Sequence, residues 1–167
     1  MRTRAATFPK EHRDYSGDFR CAHCDVLVSS AHLLSGVNNR NHCPYCLWSC
    51  HLDLFAAGDR LSACKATMKP IGLTMKPGRN KYRLRQPGEL MLIHECTECK
   101  ALSINRIAAD DDSEAVIAVF QASLKLDPQT RFVCQQYGIV VLNAKDTPAV
   151  YKQLYGHTME IPALRWM

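Results

Sequence analysis

Two Cys-x2-Cys pairs, Cys21/Cys24 and Cys43/Cys46, stand eighteen residues apart. That separation falls in the window within which four thiolates close around one tetrahedral ion. Each pair, set on a tight turn, aims two sulfurs at a shared centre, and two such turns complete the tetrahedron. Four thiolates leave Zn2+ no open coordination position, so the chemistry they imply is structural.

The second pair is spelled Cys43-Pro44-Tyr45-Cys46, which is also the dithiol sequence of glutaredoxins. Redox catalysis at such a motif needs a buried strand leading into it and a helix N-terminus that lowers the first thiol's pKa. Here Gly36-Val37-Asn38-Asn39-Arg40-Asn41-His42 precedes it, which is no buried strand, and Cys21/Cys24 stand upstream to claim the same ion. The thiol redox enzyme is therefore an alternative and the metal site the primary expectation.

A second metal site is expected from Cys96-x2-Cys99, with His94 two residues earlier and Cys64 upstream as the fourth donor. Thirty-one residues separate Cys64 from Cys96, longer than the usual spacer, and Cys50 and His51 compete for the fourth place. Cys64 is preferred because Lys65-Ala66-Thr67-Met68-Lys69-Pro70 reads as a turn, whereas Cys50 follows directly on the first site. Cys50 and Cys134 are expected to be buried thiols. His42, His51, Asp53 and Asp59 are the types a metal-dependent nuclease would use, but no second-metal motif accompanies them. Hydrogen bonding and loop support are the plainer roles.

The chain carries a formal charge of +5, unevenly spread. No carboxylate occurs between Arg60 and Gly88, a stretch holding Arg60, Lys65, Lys69, Lys76, Arg79, Lys81, Arg83 and Arg85. Clustering of that kind is the electrostatic footprint of a polyanion, and these eight residues are the expected nucleic-acid contacts. Tyr82, Tyr45 and Trp48 could stack on exposed bases, although a small ribbon also needs a Trp48 to bury.

The elements that must position these groups follow from pattern. Residues 19–28 read as a first ribbon around the Cys21–Cys24 turn. Ser35-Gly36-Val37-Asn38-Asn39, Ala57-Gly58-Asp59, Met68-Lys69-Pro70, Pro77-Gly78 and Pro87-Gly88 read as turns. Residues 81–85 alternate basic with apolar, residues 89–94 form a more buried strand running into Cys96, and 102–107 return from it. Ser113 is expected to cap a helix over 114–126, closed by Pro128. A strand pair, 132–134 with 138–142, should follow, then a short helix over 149–155 stopped by Gly156.

With 167 residues, 22% charged and 47% apolar, the chain has the composition of one ordinary globular domain or two small ones. The first twenty residues show no apolar signal region, and no run approaches membrane-spanning length, so no membrane partner is expected. Nine cysteines at metal spacing point to a reducing, cytoplasmic compartment.

Arg40-Asn41-His42-Cys43-Pro44 spells the signature of the RNHCP domain family, and Tyr45-Cys46-Leu47-Trp48-Ser49 and His51-Leu52-Asp53 look like its continuation. Gly58-Asp59-Arg60, Cys64, Met68-Lys69-Pro70-Ile71, His94-x-Cys96-x2-Cys99, Asn105-Arg106-Ile107 and Asp110-Asp111 are similar to the rest of its pattern. The resemblance covers about residues 18–112. It implies a small, cysteine-rich, zinc-binding bacterial domain and carries no activity with it.

The expectation is an α+β protein: a flexible arm over 1–17, a zinc-stabilised, ribbon-like β domain with two zinc-knuckle sites over 18–112, and a small α/β extension over 113–167. Its best functional reading is an accessory protein that binds RNA, ribosomal or transfer RNA among the candidates, through the basic stretch. A protein-interaction module with purely structural zinc, the partner docking on 113–167, is the alternative.

Overall fold

The computed structural model describes residues 17–77 and 88–156. Two antiparallel sheets organise them. A small ribbon pairs β1 (Phe19–Arg20) with β2 (Leu27–Val28) across the first Cys-x2-Cys turn. A four-stranded sheet has the order β3-β4-β5-β6, with β3 at Ser49–Cys50, β4 at Thr67–Lys76, β5 at Glu89–Cys96 and β6 at Leu102–Arg106. The arm of residues 1–16 and the alternating segment 81–85 lie outside the described residues.

β5 is one of the two interior strands, flanked by β4 and β6, and its composition suits it to that place. Leu90, Met91, Leu92, Ile93 and His94 are all buried, so apolar groups are needed on both faces rather than on alternate positions. On one face Leu90 and Leu92 join Leu73 of β4 and meet Val116, Ile117, Phe120 and Val150. On the other, Ile93 packs with Cys134 and Val141.

Met68-Lys69-Pro70, expected as a turn, lies inside β4 instead. Proline gives no ladder N–H, but the pairing with β5 shifts register between Pro70 and Gly72, where a missing donor is tolerated. Gly72 is there for space. A Cβ on it would stand 3.0 Å from the Ser123 Cβ and 3.3 Å from the Val141 Cγ1.

Helices cover the sheet. A single turn, α1 (His32–Ser35), ends at Gly36, whose φ of 67° needs the left-handed region that glycine enters freely. The long α2 (Ser113–Ser123) is capped by Asp112, one residue before the expected Ser113, its carboxylate accepting from the Glu114 and Ala115 N–H groups. Where a strand pair was expected over 132–134 and 138–142, the chain forms α3 (Pro128–Gln136) and an extended segment. The physical reason is Asp127-Pro128. Pro128 opens a helix at its first turn, with Asp127 accepting from the Thr130 N–H, and does not merely close the one before. The short 3-10 turn Ala144–Asp146 leads into α4 (Thr147–Tyr155), which stops at Gly156 as the sequence indicates. The extension is thus helical among the described residues, and its apolar side chains complete the core of the sheet. No helix among the described residues is long and apolar enough to cross a membrane.

Candidate metal centres

Three turns of the chain share one backbone design. In each Cys-x2-Cys, the first cysteine's N–H donates to the carbonyl five residues on: Cys21 to Val26 at 2.8 Å, Cys43 to Trp48 at 2.9 Å, Cys96 to Ala101 at 2.9 Å. In each, the residue four places on returns an N–H to that cysteine's carbonyl, from Asp25, Leu47 and Lys100. Those three residues all hold positive φ, at 62°, 60° and 61°. None is glycine, so each turn holds a strained residue that its hydrogen bonds must outweigh. The ring of backbone bonds aims two sulfurs at one point.

Two such turns face each other at the first centre. The Cys21 and Cys46 sulfurs are 3.6 Å apart, as are those of Cys24 and Cys43, and all four lie within 4.8 Å of one another. A Zn2+ with sulfur at about 2.3 Å requires tetrahedral edges of about 3.8 Å, far from the about 2 Å of a disulfide. The donor set therefore fits zinc. Cys21 and Cys43 are buried, packed with Val28, Phe19 and Cys46. Burial pushes the Cys43 and Cys46 thiols up, while the Val26 N–H draws Cys24 down. A dithiol catalyst needs the reverse at Cys43, an exposed thiol of lowered pKa.

The second centre gathers His51, Cys64, Cys96 and Cys99. The Cys64 and Cys96 sulfurs are 3.7 Å apart and the His51 Nδ1 is 3.3 Å from the Cys99 sulfur, again edges that fit zinc. The expected Cys64, Cys96 and Cys99 are brought together; the expected His94 is not. His94 is fully buried, its Nε2 donating to the Leu47 carbonyl at 2.7 Å and its Nδ1 accepting from the Asn105 side-chain amide at 2.9 Å. Burial, with His42 beside it, pushes its pKa down to about 3, so it is a neutral imidazole with both nitrogens occupied. His51 arrives by register. β3 and β4 pair Cys50 with Thr67, and the His51 N–H continues that ladder to the Ala66 carbonyl at 2.8 Å, which lays the ring beside Cys64. The available signal was this hairpin pairing of 49–50 with 67–68.

The Arg40-Asn41-His42 triplet has a structural explanation. Arg40 is buried and donates to both Asp110 oxygens at 2.8 and 2.7 Å and to Asp111 at 3.2 Å. His42 sits 2.7 Å from the other Asp111 oxygen, which also accepts the Ala108 N–H. Asn41 donates to Asp53 at 3.1 Å and accepts from the Arg60 guanidinium. Asp112 then bonds the Pro44 carbonyl through its N–H at 2.9 Å. Residues 108–112 thus clamp the first centre's second turn onto the start of α2.

The side chains considered for hydrolysis are therefore dispersed: His42 on Asp111, His51 on Cys99, Asp53 on the 58–60 backbone. Asp59 accepts from the backbone N–H groups of Leu61, Ala56, Leu54 and Phe55, which hold its carboxylate well below the usual range.

Of the basic residues, Arg60 is engaged with Asn41 and lies 3.9 Å from Asp53, and the Lys65 amine donates to the Arg60 carbonyl at 2.9 Å. Lys69 and Lys76 are exposed on β4 but stand opposite Glu95 and Glu89 of β5. Arg79, Lys81, Arg83 and Arg85 lie outside the described residues.

A closed set of four sulfurs and a closed set of one imidazole and three sulfurs, both on antiparallel β-structure, define a small α+β protein with two centres compatible with structural zinc. The RNHCP domain family matches residues 16–117, and the chain belongs to that family. No curated protein and no solved structure matches it.

Proposed function

We propose that this protein is a zinc-stabilised RNA-binding module of a reducing, cytoplasmic compartment, with two Zn2+ ions as frame and not as catalyst. The observation that carries it is the carboxylate-free stretch from Arg60 to Gly88, whose cations Arg79, Lys81, Arg83 and Arg85 all fall in the connection between β4 and β5. The metal centres, each with four protein donors, supply rigidity without an open position. Lys69 and Lys76 contribute less, because each has a carboxylate across the strand pair.

Anisotropy with a fluorescent single-stranded RNA tests the reading. Affinity should fall steeply between 50 and 200 mM salt, by about three hundredfold for some six phosphate contacts on a single strand. Reversing Arg79, Lys81, Arg83 and Arg85 should abolish binding, while reversing Lys69 and Lys76 should weaken it only slightly. Salt-insensitive binding, or none, sinks the reading. A protein partner on 113–167 is the second reading, favoured by Phe132, Tyr137 and Val140, which are 55%, 62% and 69% exposed; protection of α3 by a captured partner would mark it.

A further inference from the structure

We propose that the cleft between the N-terminal ribbon and β3 is a pocket for one unpaired RNA base and its phosphate. The cleft is small, about 60 Å3, so a base would lie partly in its mouth, against the cleft's aromatic wall. It is lined by residues 19–23 of the ribbon and by Trp48, Ser49, Cys50 and Leu52 around β3, together with Lys65. No lining residue is an aspartate or glutamate. That is the composition of a site for a planar, apolar-faced group carrying negative charge.

The aromatic feature is the sharpest. His23 and Trp48 stack with ring centroids 4.1 Å apart and planes within 7°. His23 lies between Cys21 and Cys24, and Trp48 lies two residues past Cys46, so the two turns that meet at the first metal centre also bring these rings parallel. A base entering the cleft extends a stack already formed, without the ordering cost of assembling one. Arg20 supplies the phosphate contact. Its side chain is 63% exposed, donates to the Asp25 carbonyl at 2.7 Å and lies 3.6 Å from the exposed Asp25 carboxylate, a solvent-screened pair that a phosphate can displace. Arg40 also borders the cleft, but its side chain is fully buried and bonded to Asp110 and Asp111, so it is no anion site.

The alternative source of the same chemistry is a free nucleotide; the strand is favoured because the sequence carries Arg79, Lys81, Arg83 and Arg85 in addition to the cleft's cations, charges that a mononucleotide has no further phosphates to meet. This pocket rests on the RNA reading above, and the experiment separates the two. Trp166→Phe in the full-length, zinc-loaded protein leaves Trp48 as its single tryptophan. A ten-residue adenylate RNA is then titrated by anisotropy and by Trp48 fluorescence together, with adenosine monophosphate and the same oligomer in duplex as comparisons. The expected result is saturable Trp48 quenching by the single strand, weaker quenching by the mononucleotide and none by the duplex. Because Trp48→Leu could disturb the ribbon, the deciding variants are His23→Ala and Arg20→Glu, both exposed, with zinc content verified. Each should weaken binding of the single strand by about tenfold. RNA binding with unchanged Trp48 fluorescence and wild-type affinity in both variants overturns the pocket and leaves the RNA reading standing. Quenching by the mononucleotide but not by RNA overturns the RNA source and with it the proposal as stated. No binding of any probe overturns both.

Discussion

The first metal centre draws its four sulfurs from residues 21 to 46, and the second draws its donors from residues 51 to 99. The first is two copies of one backbone turn set face to face, each complete in its own hydrogen bonds. The second has one such turn, at Cys96, and borrows His51 and Cys64 from the chain on either side of the 52–62 loop. Its donors meet only because β3, β4 and β5 pair in register. Burial does not separate them: each has two buried donors, Cys21 and Cys43 at the first and His51 and Cys96 at the second, with one half-buried and one exposed cysteine beside them. A locally encoded site should form early and hold tightly. A site assembled by sheet register should depend on the fold that brings it together.

The largest effect should come from breaking the first centre. Cys43→Ser removes a fully buried donor, and structural zinc contributes about 10–16 kcal/mol of apparent binding energy in small domains. The expected outcome is loss of the ribbon as well as the ion, because the second turn also carries Leu47 into the core under α2 and α4. Cys99→Ser should lose one ion of two and leave the first centre loaded. Metal analysis beside far-UV circular dichroism checks both; equal damage from the two variants would erase the proposed distinction.

His94 joins the two centres, since its ring bonds the Leu47 carbonyl at one centre while its strand ends at Cys96 of the other. Its pKa is about 3 in the fold against 6.5 unfolded, so the fold favours the neutral ring. The sign follows: this contribution is complete above pH 6.5 and is lost as pH falls from 6.5 towards 3, because the unfolded chain binds the extra proton. Between about pH 6.5 and 4 it amounts to about 3 kcal/mol. His94→Gln keeps a donor for Leu47 and removes the titration. Urea unfolding of both proteins across that range should show a flatter slope for the variant, with two ions still bound at neutral pH. A variant that binds one ion would return His94 to the ligand set.

This division marks what was legible in the sequence. Spacing alone exposes the Cys-x2-Cys turns, and the continuous run Leu90-Met91-Leu92-Ile93 exposes a strand buried on both faces, because both are local. Adjacency misled at His94: two residues from Cys96 along a strand, it is on the same face but a full repeat away from the sulfurs, and Leu47 and Asn105 hold it there. The roles of Arg40 and His42 depend on Asp110 and Asp111, some seventy residues away, and no period or spacing links them. The same limit applies to charge. The stretch from Arg60 is free of carboxylates in sequence, yet the sheet sets Glu95 and Glu89 against two of its lysines. At α3 the error was local, since Pro128 served as a start and was read as a stop.

The smallest effect should come from exchanging the one donor that distinguishes the centres. His51→Cys converts the mixed set of one histidine and three cysteines into four cysteines. The Nδ1 atom lies one bond beyond where a cysteine sulfur sits, and the longer zinc–sulfur bond, about 2.3 Å against 2.0–2.1 Å for nitrogen, recovers part of that reach. The variant should therefore still bind two ions, with a stability change of about 1 kcal/mol or less, as expected when a donor is replaced without opening the shell. His51→Ala, leaving three sulfurs and an open position, should drop to one ion or hold the second much more weakly. Competition with a chromogenic chelator reads both. If His51→Cys loses the second ion while His51→Ala keeps it, register has placed His51 beside the centre without making it a donor, and the contrast between a locally written site and a sheet-assembled one would rest on Cys64 alone.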